Sequence, residues 1–198
     1  MIGQITPLVK VASYRVWLQA VAAHAAGALM SAGFLGLLLG SAGGLIPLPR
    51  GAPFIVFVVG AIFLLCAFKE AEVTSCPLPA FQRQTPKNFL CAFGSTWGPF
   101  VWGLDLGQGW TTYIDYYGYY ALGAWVFVLG SPLVGAAIMG AYGIGRVLPV
   151  LLVGIAPGHT AASPFGQGYL LHHSLVRRVN AVALTFMGAS IVATSILA

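Results

Sequence analysis

Apolar and polar positions separate in this chain on the scale of whole segments, not of single helical turns or strand alternations. Residues 17–46 run WLQAVAAHAAGALMSAGFLGLLLGSAGGLI without a charge. About 20 apolar residues cross a bilayer core, so this run predicts a tilted spanning helix or one with a glycine-rich tail. Ile46-Pro47-Leu48-Pro49-Arg50-Gly51 predicts a tight, proline-broken turn. A second span follows at 53–68, near the short limit for a crossing, and Lys69-Glu70 closes it. Residues 69–88 hold Lys69, Glu70, Glu72, Arg83 and Lys87 with three prolines, and read as an extramembrane loop.

Residues 89–129 open apolar, turn polar and aromatic (DLGQGWTTYIDYYGYY), and close apolar. Gly98-Pro99, Gly103, Gly107 and Gly109 interrupt them. Irregular backbone at membrane depth survives only inside protein or beside a cavity, so the pattern predicts a broken or re-entrant central helix. Further spans are read at 133–155 and 179–198, with a loop at 157–178 between them. The fold class is therefore all-α, one polytopic membrane domain over 1–198.

Composition narrows the class. Of 198 residues, 59% are hydrophobic and 7% charged, and mean hydropathy is +0.88. A soluble surface cannot be built from so few charges. Ordinary soluble enzymes, disordered chains and nucleic-acid-binding domains are excluded. The net charge of +5 forms no basic stripe; its residues sit where apolar runs end. Lys10 and Arg15 precede an apolar run too long for a secretory signal.

Charge placement selects a topology. If 89–129 crosses once, Lys10, Arg15, Lys69, Arg83, Lys87, Arg177 and Arg178 share one side, leaving Arg50 on the other. If it crosses twice, the asymmetry largely vanishes. The positive-inside rule selects about five net crossings, with a cytoplasmic N-terminus and an external C-terminus in a bacterial inner membrane.

Several groups carry candidate chemistry. Trp97, Gly98, Pro99 and Phe100 mark a helix break, where freed backbone groups bind something or permit motion. Asp105 and Asp115 lie in the same element, either as pathway acids or in a wet aromatic turn. Arg146, inside a span, either pairs with one of them or snorkels. His24, after Ala20-xxx, is a candidate haem or chlorophyll-type ligand, or a buried hydrogen-bonded histidine. His159, His172 and His173 have no acid or cysteine beside them and no metal-ligand spacing, so no metal site is expected. Gly36-xxx-Gly40, Gly103-xxx-Gly107 and Ala136-xxx-Gly140 allow close helix approach, within the chain or against another subunit. Cys66, Cys76 and Cys91 form no CxxC motif.

The stretches PFIVFVVGAIFLLCAFKE, NFLCAFGSTWGPF, GSPLVGAAIMGAYGIGRVLPVLLVG and VRRVNAVALTFMGASIVA, in this order, resemble the CcdA/DsbD transmembrane family, the cytochrome c biogenesis-type thiol–disulfide carriers, including their MauF-like relatives. The resemblance covers about residues 15–198. It implies inverted three-helix repeats, each opening on a helix broken at a proline beside a redox cysteine. The second such motif usually reads W-T-P-C; here it is Trp97-Gly98-Pro99-Phe100, so the redox residue is not carried over. Residues 15–46 resemble the family's second helix, so the chain is expected to begin one helix late. Thiol electron transfer needs two cysteines that exchange, and Cys66 with Cys91 is the pair left to consider.

These readings converge on a non-catalytic membrane subunit or accessory factor of a larger complex. It would contact the bilayer and other membrane subunits through its small-residue faces and the turn at 108–120, without a cofactor. The alternatives are a carrier of reducing equivalents or a small solute, using Asp105, Asp115 and Arg146, and a tetrapyrrole-binding subunit using His24.

Overall fold

The structure is a computed structural model that describes residues 14–74, 89–109, 116–155 and 162–197, with backbone alone at 89–91, 95–96, 149–150, 152–155 and 162–173. Among the described residues every regular element is a helix: α1 (Tyr14–Leu45), α2 (Pro53–Glu70), α3 (Phe89–Gln108), α4 (Gly118–Leu129), α5 (Pro132–Ile155) and α6 (Ala162–Leu197). Tyr14–Leu45, Pro53–Glu70 and Ser174–Leu197 are long and apolar enough to cross a membrane, and Gly118–Leu129 and Pro132–Leu148 are shorter apolar helices. The fold is an all-α membrane helix bundle.

Local chemistry sets the helix ends. Pro53 and Pro132 open α2 and α5, where a missing N–H costs nothing and the fixed φ suits the helix. The 46–51 turn closes through Leu48 N–H to Ile46 and Ala52 N–H to Pro49. α2 ends in a Schellman motif: Val73 N–H bonds the Phe68 carbonyl at 2.9 Å and Glu72 N–H the Lys69 carbonyl at 3.1 Å. The left-handed position there is Glu72, φ 61°, where glycine is usual. α4 ends conventionally on left-handed Gly130.

The described residues fall into two compact units. One gathers those within 1–34, 81–113 and 140–172; the other, those within 35–80, 114–139 and 173–198. In the first, Trp17, Val21 and Trp102 form a buried cluster. In the second, Val59, Phe63, Cys66, Ala67, Ala121 and Leu184 form the core.

Two expectations are corrected. Residues 162–178, read as loop, are helical. Pro164 sits in the first turn of α6, where proline is tolerated, and no later proline stops the helix. The break in α3 falls at Gly94 (φ 74°, ψ −175°), and Pro99 lies inside the helix beyond it. The proline ring presses on the carbonyl four residues back, that of residue 95. The break immediately before that residue lets the turn yield. Residues 89–129 thus divide into kinked α3 and separate α4; Asp115 and most of the aromatic turn lie outside the described residues.

α6 carries polar side chains through its apolar stretch by folding them back. The hydroxyls of Thr185, Ser190, Thr194 and Ser195 donate to carbonyls three or four residues earlier, at 2.7–2.8 Å. That satisfies them without a partner helix.

Candidate functional site

The first unit contains the helix-break region. α1 and α3 approach to backbone contact: a Cβ on Gly27 would collide with the Phe100 carbonyl, and one on Gly103 with the His24 carbonyl. This packing brings His24, 1% exposed, against α3. Its Nδ1 lies 3.2 Å from the Pro99 carbonyl oxygen. A carbonyl only accepts, so Nδ1 carries the proton and donates. The imidazole also lies 5.1 Å from the Trp102 ring, tilted 48°.

The tetrad read from the sequence splits in its environment. Trp97 is 66% exposed, Gly98 and Pro99 are buried, and Phe100 is half-buried. The Phe100 ring stands edge-on to Trp97 at 5.8 Å. Where the resemblance expects a thiol, the side chain is an aromatic packing group.

About two turns further on, Arg146 of α5 donates from Nη1 to the Leu106 carbonyl at 2.6 Å. Asp105, half-buried, is the neighbour of Leu106. The structure therefore brings Arg146 to the stretch of α3 that holds Asp105, and brings His24 to the proline about two turns earlier.

The small-residue spacings face the chain's own helices. A Cβ on Gly36 would meet the Gly135 carbonyl, one on Gly40 the Ser131 carbonyl, and one on Gly107 the Ala28 carbonyl. Gly140 faces Leu29. Of the two readings, packing within the chain is the one the structure shows at these glycines, so they are not open faces for another subunit.

In the second unit a charged node gathers residues that the sequence offered only as topology markers. Glu70, 1% exposed at the end of α2, accepts a 2.8 Å hydrogen bond at Oε2 from the Tyr117 backbone N–H. Its Oε1 lies 3.6 Å from Arg177 Nε, and Arg177 Nη1 bonds the exposed Glu72. Lys69 Nζ stands 5.7 Å above the Tyr117 ring. Lys69, Glu72, Val73, Thr74, Tyr117 and Arg177 surround an open pocket of about 350 Å³. The signal available in the sequence was the placement of Lys69-Glu70 and Arg177-Arg178 at the edges of two apolar runs.

Cys66 is a buried free thiol in the core of this unit. Cys76, the Cys91 side chain and His159 lie outside the described residues, as do the side chains of His172 and His173. Among the described residues no group of three or more His, Cys, Asp or Glu is placed to hold a metal.

Comparison with known proteins gives one informative likeness. The chain is 28% identical over 135 residues to methylamine utilization protein MauF of Paracoccus versutus. The match covers 68% of this chain and 49% of that relative, so the chain spans about half its length. No protein-family model matches, and no solved structure matches.

Proposed function

We propose that the chain is a non-catalytic integral membrane accessory protein, a subunit or assembly factor of a larger membrane complex, built on a scaffold of the CcdA/DsbD type. The observation that carries this reading is the proline motif of α3, occupied by the chain's own side chains. Phe100 stands at the cysteine position of the motif and packs on Trp97, and His24 occupies the Pro99 carbonyl. A scaffold kept without its thiol serves structure and assembly. The likeness to MauF supports a role beside methylamine utilization, the process in that relative's name. The proposed setting is a bacterial inner membrane, N-terminus cytoplasmic and C-terminus external, which the charge asymmetry supports.

Purification from native membranes in mild detergent tests this. The expected result is a fixed stoichiometry with another integral membrane protein. A lone monomer with catalytic activity of its own overturns the proposal.

A second reading, a carrier of reducing equivalents or a small solute, is favoured by one observation: Arg146 meets α3 beside Asp105. Reconstituted into vesicles, an Asp105→Asn variant would then lose flux that the parent chain sustains. No cofactor is proposed. For a tetrapyrrole on His24, α1 and α3 would have to part, because they touch through backbone at Gly27 and Gly103, and its Nδ1 edge is already bonded.

A further inference from the structure

We propose that the pocket bounded by Lys69, Tyr117 and Arg177 is a binding site for the phosphate headgroup of an anionic phospholipid. Two independent features of the second unit meet there. The first is charge. Lys69 has no carboxylate within ion-pair distance among the described residues, and its ammonium is held over the Tyr117 ring. Arg177 lines the same pocket, and its one exposed counter-ion is Glu72, on a mobile-length side chain 74% exposed. An incoming phosphate therefore finds one cation that no carboxylate holds among the described residues, and a second whose outer partner is exposed to water. The buried Glu70 accepts from the Tyr117 N–H, which holds the backbone of one lining residue in place.

The second feature is depth. The pocket stands where α2, a membrane-length apolar helix, ends at Glu70, and beside Arg177, where the charged residues Arg177-Arg178 precede the apolar stretch of α6. That is the level at which headgroups lie. Val73, which lines the pocket, is 75% exposed, and near the lining residues in sequence Phe68, Leu175 and Val179 are exposed and apolar, at 49%, 56% and 62%. These side chains suit the upper part of acyl chains whose phosphate reaches Lys69 and Arg177. Arg178, also exposed, adds a cation at the same level. Basic side chains at a membrane surface attract anionic lipid, and a pocket between helices turns that attraction into a site. The pairing of lysine as a point charge with arginine as a planar donor suits a phosphate oxygen set.

The test uses the full chain in detergent, titrated with phosphatidylglycerol and, separately, phosphatidylcholine, with bound lipid read by native mass spectrometry. Lys69→Gln is the informative variant, because the Lys69 ammonium stands over the Tyr117 ring and its loss leaves the Glu70–Arg177 pair intact. Arg15→Gln, in the other unit, controls for diffuse charge. The expected result is preferential binding of phosphatidylglycerol, weakened about fivefold by Lys69→Gln and unchanged by Arg15→Gln. Equal binding of phosphatidylcholine, equal weakening by both variants, or no effect of Lys69→Gln overturns the proposal. Competition by inorganic phosphate at the same concentration as the lipid also overturns it, in favour of a soluble anion.

Discussion

The backbone N–H of Tyr117 donates to Oε2 of Glu70 at 2.8 Å, so the carboxylate that closes α2 caps the start of α4. Tyr117 is the N-cap of α4 and has no side-chain cap of its own. The first amides of a helix lack partners within it, and an anion beside them is favoured by the helix dipole. Glu70 answers that need from another helix and holds Arg177 with its other oxygen's side.

Glu70 therefore depends on both partners. Arg177→Met takes away the cation that faces the buried Glu70 carboxylate, and Glu70→Leu leaves the Tyr117 amide without its acceptor while Arg177 keeps its bond to Glu72. Each is expected to cost about 3–5 kcal/mol. Glu70→Gln keeps an acceptor for the amide and is expected to cost less than Glu70→Leu. Thermal unfolding of the detergent-solubilised chain measures this, and equal melting points for Glu70→Leu and the parent would refute the capping role.

Glu72 tests a different balance. Its φ of 61° is the left-handed region, which costs a side-chain-bearing residue about 1 kcal/mol that glycine avoids. Its ion pair with Arg177 is exposed, and such pairs contribute about 0.2–1 kcal/mol. Glu72→Gly is thus expected to leave stability unchanged or slightly raised. Glu72→Ala, which loses the pair and keeps the strain, is expected to lower it. The same melts distinguish the two variants.

Helix contact in the first unit is expected to tolerate no added carbon at Gly103. Gly103→Val drives a side chain into the His24 carbonyl and should cost 2 kcal/mol or more, roughly the upper range for overpacking. A Cβ on Gly145, in α5, would meet no atom within 4 Å among the described residues. Gly145→Ala should be neutral or stabilising by up to about 1 kcal/mol through helix propensity. Comparing these two variants separates close approach from mere loss of glycine.

The spans were legible because their signal is local. A charge-free run over 17–46 and the prolines at 47 and 49 suffice to mark α1 and the turn after it. The charged node was not legible in the same way. Arg177 and Glu72 stand 105 positions apart, and a charge count over loops says which side they share, not which atoms meet. The polar content of 162–178 imitated a loop, since hydropathy measures solvation and helix formation depends on backbone fit. At the break, sequence identified the right helix and the wrong residue. Proline announces a lost hydrogen bond, whereas the conformation that only glycine adopts freely is at Gly94.

His24 is expected to act as a clamp between α1 and α3. His24→Phe keeps the volume and the contact with Trp102 but loses the bond to Pro99, at a cost of about 0.6–1.7 kcal/mol, the range for such bonds in membranes. The purified chain is expected to show no visible absorbance band. A Soret-type band abolished by His24→Phe would establish a tetrapyrrole ligand instead.

An accessory scaffold does no thiol chemistry, and thiol trapping distinguishes it from an electron carrier. Native membranes are quenched with acid, alkylated, and read by mass spectrometry before and after exposure to a reduced thioredoxin-like protein. Cys66, buried in the core of its unit, is expected to remain a free thiol throughout, with no mixed disulfide to the added protein. A Cys66–Cys91 disulfide that the thioredoxin-like protein reduces would contradict it and make the chain an electron carrier.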